Sequence, residues 1–169
     1  MNNYPFMQQK DIDMLNAYFI KYQPRIVVEW GAGGSTIYFP AKHKCIQQWY
    51  TFEHEITWVN KIMNLNFKRD LPIYCYYSPK KYVENITAIE VLSYTDFVLI
   101  DGIYRKECLE VCANLVKPGT LIFLHDSGRN QYQNWLNCFE HRKQLTEGRV
   151  PDGQGGYKRD GLHLFWQEV

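Results

Sequence analysis

Residues 26–36 read Ile-Val-Val-Glu-Trp-Gly-Ala-Gly-Gly-Ser-Thr: an apolar run ending in Glu29-Trp30, then three glycines and two hydroxyl residues. This is the chemistry of a nucleotide-type cofactor loop. Glycines let the backbone turn sharply and approach a ligand with no side chain in the way, and the helix that follows opens with free N–H groups. Gly31-x-Gly33 lacks the third glycine of the dinucleotide fingerprint, because Thr36 stands where Gly or Ala is expected. A glycine cluster alone is equally a tight turn, so the flanking sequence carries the decision. A second strand-like run, Gln48-Trp-Tyr-Thr-Phe, ends at Glu53, about where an acid reaches a ribose hydroxyl from the next strand. A third, Asp96-Phe-Val-Leu-Ile, ends at Asp101-Gly102. Three strands ending in acid put three carboxylates on one sheet edge, the edge along which open α/β sheets bind ligands.

Outward from these runs, strand and helix patterns alternate. Ile12, Leu15, Phe19 and Tyr22 predict a helix over 8–23, stopped by Pro24. Strand 25–30 leads to a short helix from Gly34 that Pro40 should end or kink. Strand 48–53 precedes a helix carrying Ile56, Val59, Ile62 and Met63; strand 72–77 precedes a weaker helix near 80–92, opened by Pro79. Strand 96–101, helix 104–116, Lys117-Pro118-Gly119 and strand 120–125 follow, and Tyr132, Trp135, Leu136 and Phe139 mark one more helix. Residues 146–161 contain five glycines, and Leu162-His-Leu-Phe-Trp166 is a closing strand, which suggests an antiparallel hairpin at the sheet edge. The fold class is therefore α/β: a doubly wound, mostly parallel sheet with helices on both faces and a C-terminal antiparallel hairpin.

At 169 residues the expectation is one domain, with an N-terminal helix (1–24), a cofactor-binding core (25–126) and a C-terminal helix and hairpin (127–169). A net charge of +1 gives no electrostatic case for nucleic acid or a membrane surface. The five cysteines (45, 75, 108, 112, 138) form no Cys-x-x-Cys pair, which argues for reduced thiols in a cytoplasmic setting. Cys108 and Cys112, one helical turn apart, are read as an apolar face rather than a metal pair. No leader-like segment or membrane-length apolar run is present in these residues.

Taken together these runs resemble a class I S-adenosylmethionine-dependent methyltransferase. Glu29-Trp-Gly-Ala-Gly-Gly-Ser-Thr resembles that family's first motif, and Tyr50-Thr-Phe-Glu53-His-Glu its second strand with the ribose-binding acid. Phe97-Val-Leu-Ile-Asp101-Gly resembles its fourth strand, and Leu115-Val-Lys-Pro-Gly-Thr-Leu-Ile-Phe-Leu-His-Asp126 its Pro-Gly and fifth-strand element. The resemblance implies S-adenosyl-L-methionine as cofactor. Backbone around Gly31 and Gly33 would lie under its methionine part, beside Ser35 and Thr36, and Glu29 would meet its amino group directly or through water. Glu53 would accept from both ribose hydroxyls. Asp101 would stand at the cofactor's edge. Where relatives often place an adenine-contacting acid, this chain has Tyr77-Ser78-Pro79, leaving Ser78 or a backbone group.

Methyl transfer asks the protein to align nucleophile and methyl and, for an alcohol, to remove a proton. Asp101, His125 and Asp126 are the polar residues at the ends of strands four and five, and so the catalytic candidates. The layout is similar to metal-dependent O-methyltransferases of catechols and sugars, which implies Mg²⁺ or another divalent cation on Asp101, His125 and Asp126. Those relatives usually carry Asp-Asp or Asp-Asn where this chain has His125-Asp126, which would soften the site toward a transition metal or make His125 a metal-free base. Blander alternatives stand beside these: Asp101-Gly102 as a helix cap, Asp126 as a turn residue, His125 as a satisfied core residue. Arg105 and Arg129 lie at the mouth or simply on the surface. The expected acceptor is a small molecule with a sugar or phenolic hydroxyl. A second subunit could complete the site, and the 146–161 loop could act as a lid. The rival readings are a nicotinamide-dependent oxidoreductase, weakened by the missing glycine and the hairpin ending, and a non-catalytic module that keeps the fold.

Overall fold

The computed structural model describes residues 4–128, 137–147, 150–151, 157–158 and 161–167. The elements in chain order are α1 (Gln9–Tyr22), β1 (Ile26–Trp30), α2 (Gly34–Lys42), β2 (Gln48–Glu53), α3 (Ile56–Arg69), β3 (Ile73–Tyr77) and α4 (Ile86–Leu92). They continue with β4 (Phe97–Ile100), α5 (Arg105–Leu115), β5 (Leu121–His125), β6 (His141–Thr146), β7 (Val150–Pro151), β8 (Tyr157–Lys158) and β9 (Leu162–Trp166). Seven strands form one sheet in the order β3-β2-β1-β4-β5-β9-β6, with β7 and β8 paired separately. β1 to β5 are parallel, whereas β9 runs antiparallel to β5 and β6 antiparallel to β9. The expected C-terminal hairpin is therefore the sheet's β9-β6 edge.

Strand composition follows from burial on both faces. Phe97, Val98, Leu99 and Ile100 in β4 are all fully buried, so the strand reads as a continuous apolar run rather than an alternating one. Val28, Trp30, Val98 and Ile100 pack with Val91 and Leu92 of α4 and Leu109 and Cys112 of α5. Their neighbours Val27, Phe97 and Leu99 face the other way, against Leu15 and Phe19 of α1, Ile37 and Phe39 of α2, and Ile62 of α3. Cys108 and Cys112 lie wholly within the first layer, as an apolar helix face.

The chain leaves β3 at one edge and re-enters the sheet as β4 beside β1, so the strand order reverses between β1 and β4. Ligand crevices form at such a switch point, outside the carboxyl ends of the strands. At the opposite end Asp96 closes the sheet, accepting from the Arg25 and Ile26 amides at 2.9 and 3.0 Å and from Lys117 Nζ at 2.9 Å.

Two expectations differ in detail, and two others fall mostly outside the described residues. Pro40 does not end α2, which runs to Lys42; the hydrogen bond its ring nitrogen cannot make is a single one, back to the first turn. The weak helix near 80–92 is shorter, because Asn85 caps it by accepting from the Thr87 amide at 3.0 Å and fixes its start at Ile86. The helix expected from Tyr132 to Phe139 falls mostly outside the described residues, as does much of the 146–161 loop; Phe139 itself is buried against Phe165. Among the described residues no helix is long and apolar enough to cross a membrane.

Candidate functional site

The turn after β1 is built on backbone conformations that side chains would spoil. Gly31 has φ +103°, and a Cβ there would lie 2.6 Å from both the nitrogen and the Cα of Gly102. The loops that leave β1 and β4 thus meet backbone to backbone at the switch point. Gly33 is different: a Cβ there would meet nothing within 4 Å, so this position opens onto free space. Gly34 packs under the N-terminal segment, where a Cβ would run into the Tyr4 carbonyl.

Glu29 is wholly buried and holds this loop in shape. It accepts from Ser35 Oγ at 2.5 Å, Thr36 Oγ1 at 2.6 Å and Trp49 Nε1 at 2.9 Å, while Thr36 Oγ1 accepts from the Gly33 amide at 2.9 Å. Burial pushes its carboxyl up to about 7, against the pull of the donors from Ser35, Thr36 and Trp49. Of the sequence-derived cofactor set, Glu29 and Thr36 are thus turned into the loop rather than toward the crevice. Ser78 also turns inward: its hydroxyl donates to the Lys81 carbonyl at 2.9 Å and accepts from Asn85 Nδ2 at 3.1 Å.

The remaining candidates converge on one cavity of about 550 Å³, within the range of small-molecule sites. Its walls include Gly31 to Ser35, Glu53 to Glu55, Asp101 to Ile103, His125 and Asp126. Glu53 ends β2 at its side, accepting from the Ala32 amide at 2.9 Å and from the His54 and Glu55 amides at 2.7 and 2.8 Å. Oε1 takes two of these amides and also has His54 Nδ1 at 2.8 Å, so one acceptor position is left on Oε2, room for one ribose hydroxyl rather than the two expected. Two residues without a sequence-derived role also stand there: Phe6, 99% exposed, and Trp58.

At the far wall Asp101, His125 and Asp126 each bring a ligand atom within 4.8 Å of the others. His125 is buried, with Nδ1 2.7 Å from Asp101 Oδ1 and Nε2 3.5 Å from Asp11 Oδ2. Burial disfavours its charge, but Asp101, Asp11 and Asp126 together outweigh that and raise it to about 10. Held among three carboxylates, the imidazole favours its protonated form, which weighs against His125 as the metal-free base expected from the sequence. Arg105 lines the cavity but is buried rather than a surface residue, set at the ends of β4 and β5. Its Nη1 donates to the His125 carbonyl at 2.6 Å and its Nη2 to the Asp101 carbonyl at 2.8 Å, with Asp126 Oδ2 and Asp101 Oδ1 at 3.1 and 3.2 Å. As folded, these residues fit a divalent cation poorly, because a guanidinium already lies against both carboxylates. Arg129 lies outside the described residues.

Asp11 was missed in the sequence. It is fully buried on α1; its Oδ1 accepts from Thr146 Oγ1 at 2.5 Å, and Thr146 Oγ1 accepts from the Leu162 amide at 2.9 Å. Its place four residues before Leu15, on the stripe that faces the core, is compatible with burial, but the partner that makes burial tolerable lies far along the chain.

No protein-family model matches the sequence, and no curated protein matches it. Solved structures do. A caffeoyl-CoA O-methyltransferase-like protein from Staphylococcus aureus superposes with a TM-score of 0.71 at 16% identity, over 98% of this chain and 87% of that one. The 16S rRNA N2 G1207 methyltransferase of Thermus thermophilus, in complex with S-adenosylmethionine and guanosine, gives 0.69 at 13% identity, over 96% of this chain and 44% of that one. Precorrin-8w decarboxylase of Methanobacterium thermoautotrophicum gives 0.61 at 15% identity, over 98% and 94%. The fold is that of the class I S-adenosylmethionine-dependent methyltransferases, O-methyltransferases among them. The decarboxylase shows that other chemistry also uses this fold, so the fold alone does not assign the reaction.

Proposed function

We propose that this chain is an S-adenosylmethionine-dependent methyltransferase acting on a hydroxyl oxygen of a small polar acceptor, a sugar or a phenol. The observation that carries the reading is the meeting, in one cavity at the switch point, of the Gly31–Ser35 turn, the Glu53 carboxylate and the acid edge of β4 and β5. The residues fit the cofactor. Gly33 leaves space beside the turn for its methionine portion, and Glu53 keeps acceptor capacity for a ribose hydroxyl. Glu53 sets a carboxylate on the cavity wall to suit the cofactor's positive charge, while Asp101 and Asp126, also in the wall, are already paired with Arg105. Glu29, Ser35 and Thr36 serve by fixing the turn, and Ser78 by fixing the connection after β3. The net charge of +1 supports a small acceptor over a polyanion.

When bound, the cofactor supplies an activated methyl group. The chain's own part is to place the acceptor oxygen, exclude water and take up a proton. Asp101, partly exposed to the cavity, is the carboxylate positioned to receive it, while His125 and Arg105 hold its Oδ1 in place. Calorimetric titration with S-adenosylhomocysteine tests the reading, with NADH as the control for an oxidoreductase. Saturable binding is expected, and Glu53→Ala should weaken it about ten-fold or more, through loss of charge-assisted hydrogen bonds. No binding of S-adenosylhomocysteine to the wild type would overturn it, and binding without transfer to any acceptor would favour the non-catalytic module.

A further inference from the structure

We infer that Arg105 fills the cation position at the acid edge, so that this site works without a divalent metal. The inference bears on the proposed methyl transfer, and it rests on that reading only for its chemical consequence. A guanidinium has five N–H groups in a fixed planar fork. Nε donates to the Gly102 carbonyl at 2.7 Å, Nη1 and Nη2 to the carbonyls of His125 and Asp101, and the two outer directions meet Asp126 Oδ2 and Asp101 Oδ1. Three of its N–H groups donate to main-chain oxygens at the ends of β4 and β5, and the two carboxylates stand at ion-pair distance. The group is therefore part of the wall and not a surface side chain that swings aside.

A divalent ion shared by Asp101 and Asp126 would need an oxygen of each about 2.0–2.6 Å away, and the guanidinium already holds one oxygen of each, at 3.2 and 3.1 Å, so the ion would lie beside a fixed positive charge. To admit the ion, Arg105 would have to leave three carbonyls unpaired in a buried corner. His125 offers no alternative ligand. Both its ring nitrogens are turned to carboxylates, Nδ1 to Asp101 and Nε2 to Asp11, whereas a ligand needs a lone pair aimed at the metal. The consequence concerns the acceptor. With no metal ion to acidify it, its hydroxyl must yield its proton to a carboxylate, which favours a phenol over a sugar alcohol.

The test is Mn²⁺ uptake followed by electron paramagnetic resonance, a readout that does not require activity. Wild-type protein and Arg105→Lys are expected to leave Mn²⁺ free through the micromolar range. Arg105→Gln removes the charge and should take up a single Mn²⁺ per chain, which a further Asp126→Asn should abolish. Stoichiometric Mn²⁺ binding by the wild type, lost in Asp126→Asn, would overturn the inference. So would a folded Arg105→Gln that stays silent, since Arg105 would then not be what keeps the metal out. If Arg105→Gln does not fold, the wild-type titration alone decides. S-adenosylhomocysteine titration of the same samples keeps the two readings apart, because its failure counts against methyl transfer and not against the cation assignment.

Discussion

Asp101→Asn should loosen the hold of His125 on its proton. In the folded chain His125 is raised from an ordinary 6.5 to about 10, burial pulling it down and three carboxylates pushing it up more strongly. Asp101 is the nearest at 2.7 Å, followed by Asp11 at 3.5 Å and Asp126 at 3.9 Å. At an effective dielectric near 20, the Asp101 pairing is worth roughly 6 kcal/mol before desolvation, and the Asp11 pairing roughly 5. One pH unit corresponds to about 1.4 kcal/mol. Arg105 shares Asp101 and offsets part of this, so the amide variant should lower the His125 midpoint by at least about two pH units. Imidazole NMR titration reads it directly, with the other four histidines of the chain as internal references. The sign for stability follows from linkage: a folded-state value above the unfolded one contributes fully below 6.5 and is lost as pH rises through about 10. The denaturation midpoint of the wild type should therefore fall over that interval, and that of Asp101→Asn should fall less. A wild-type His125 that titrates near 6.5 would refute the reasoning and return His125 as a base.

Gly31→Ala should cost about 2–4 kcal/mol in denaturant unfolding, since the methyl group meets the Gly102 backbone and φ is positive; a loss below about 0.5 kcal/mol would mean that the two loops can part freely. Glu29→Ala leaves the hydroxyls of Ser35 and Thr36 and the Trp49 indole N–H without their acceptor, so about 3 kcal/mol or more should be lost. Its effect on S-adenosylhomocysteine should come through the disordered turn, and Glu29→Gln, which keeps one acceptor oxygen, should recover part of both stability and affinity.

The strands were legible because burial on both faces makes them plain apolar runs bounded by punctuation. β1, β4 and β5 begin and end within a residue of expectation for that reason. The convergence of Glu53, Asp101, His125 and Asp126 on one edge was legible too, since strand-end position fixes where a side chain starts. Side-chain direction was not. Glu29 lies on a strand whose alternate residues face opposite layers, and only the folded geometry shows that its carboxylate is claimed by Ser35 and Thr36 of the loop and Trp49 of β2. Arg105 looked like a surface cation because local sequence cannot reveal that three carbonyls from β4, β5 and their loop would gather around it. Asp11 needed a contact across more than a hundred residues, to Thr146, before it could be recognised as buried.

The close approach of Gly31 and Gly102 means that the floor of the crevice is peptide rather than side chain. Such a floor leaves substitution little to work on, since a side chain at Gly31 would collide with the Gly102 backbone and one at Gly102 with the Tyr82 hydroxyl. Among the described residues, variation has room at Phe6 and Trp58, which line the cavity and are exposed, so bulk there can be altered without touching the two glycines. Drift in what the cavity admits would then proceed as a change of rim over a constant base, and an engineer seeking a different guest should diversify the rim and leave the two glycines alone.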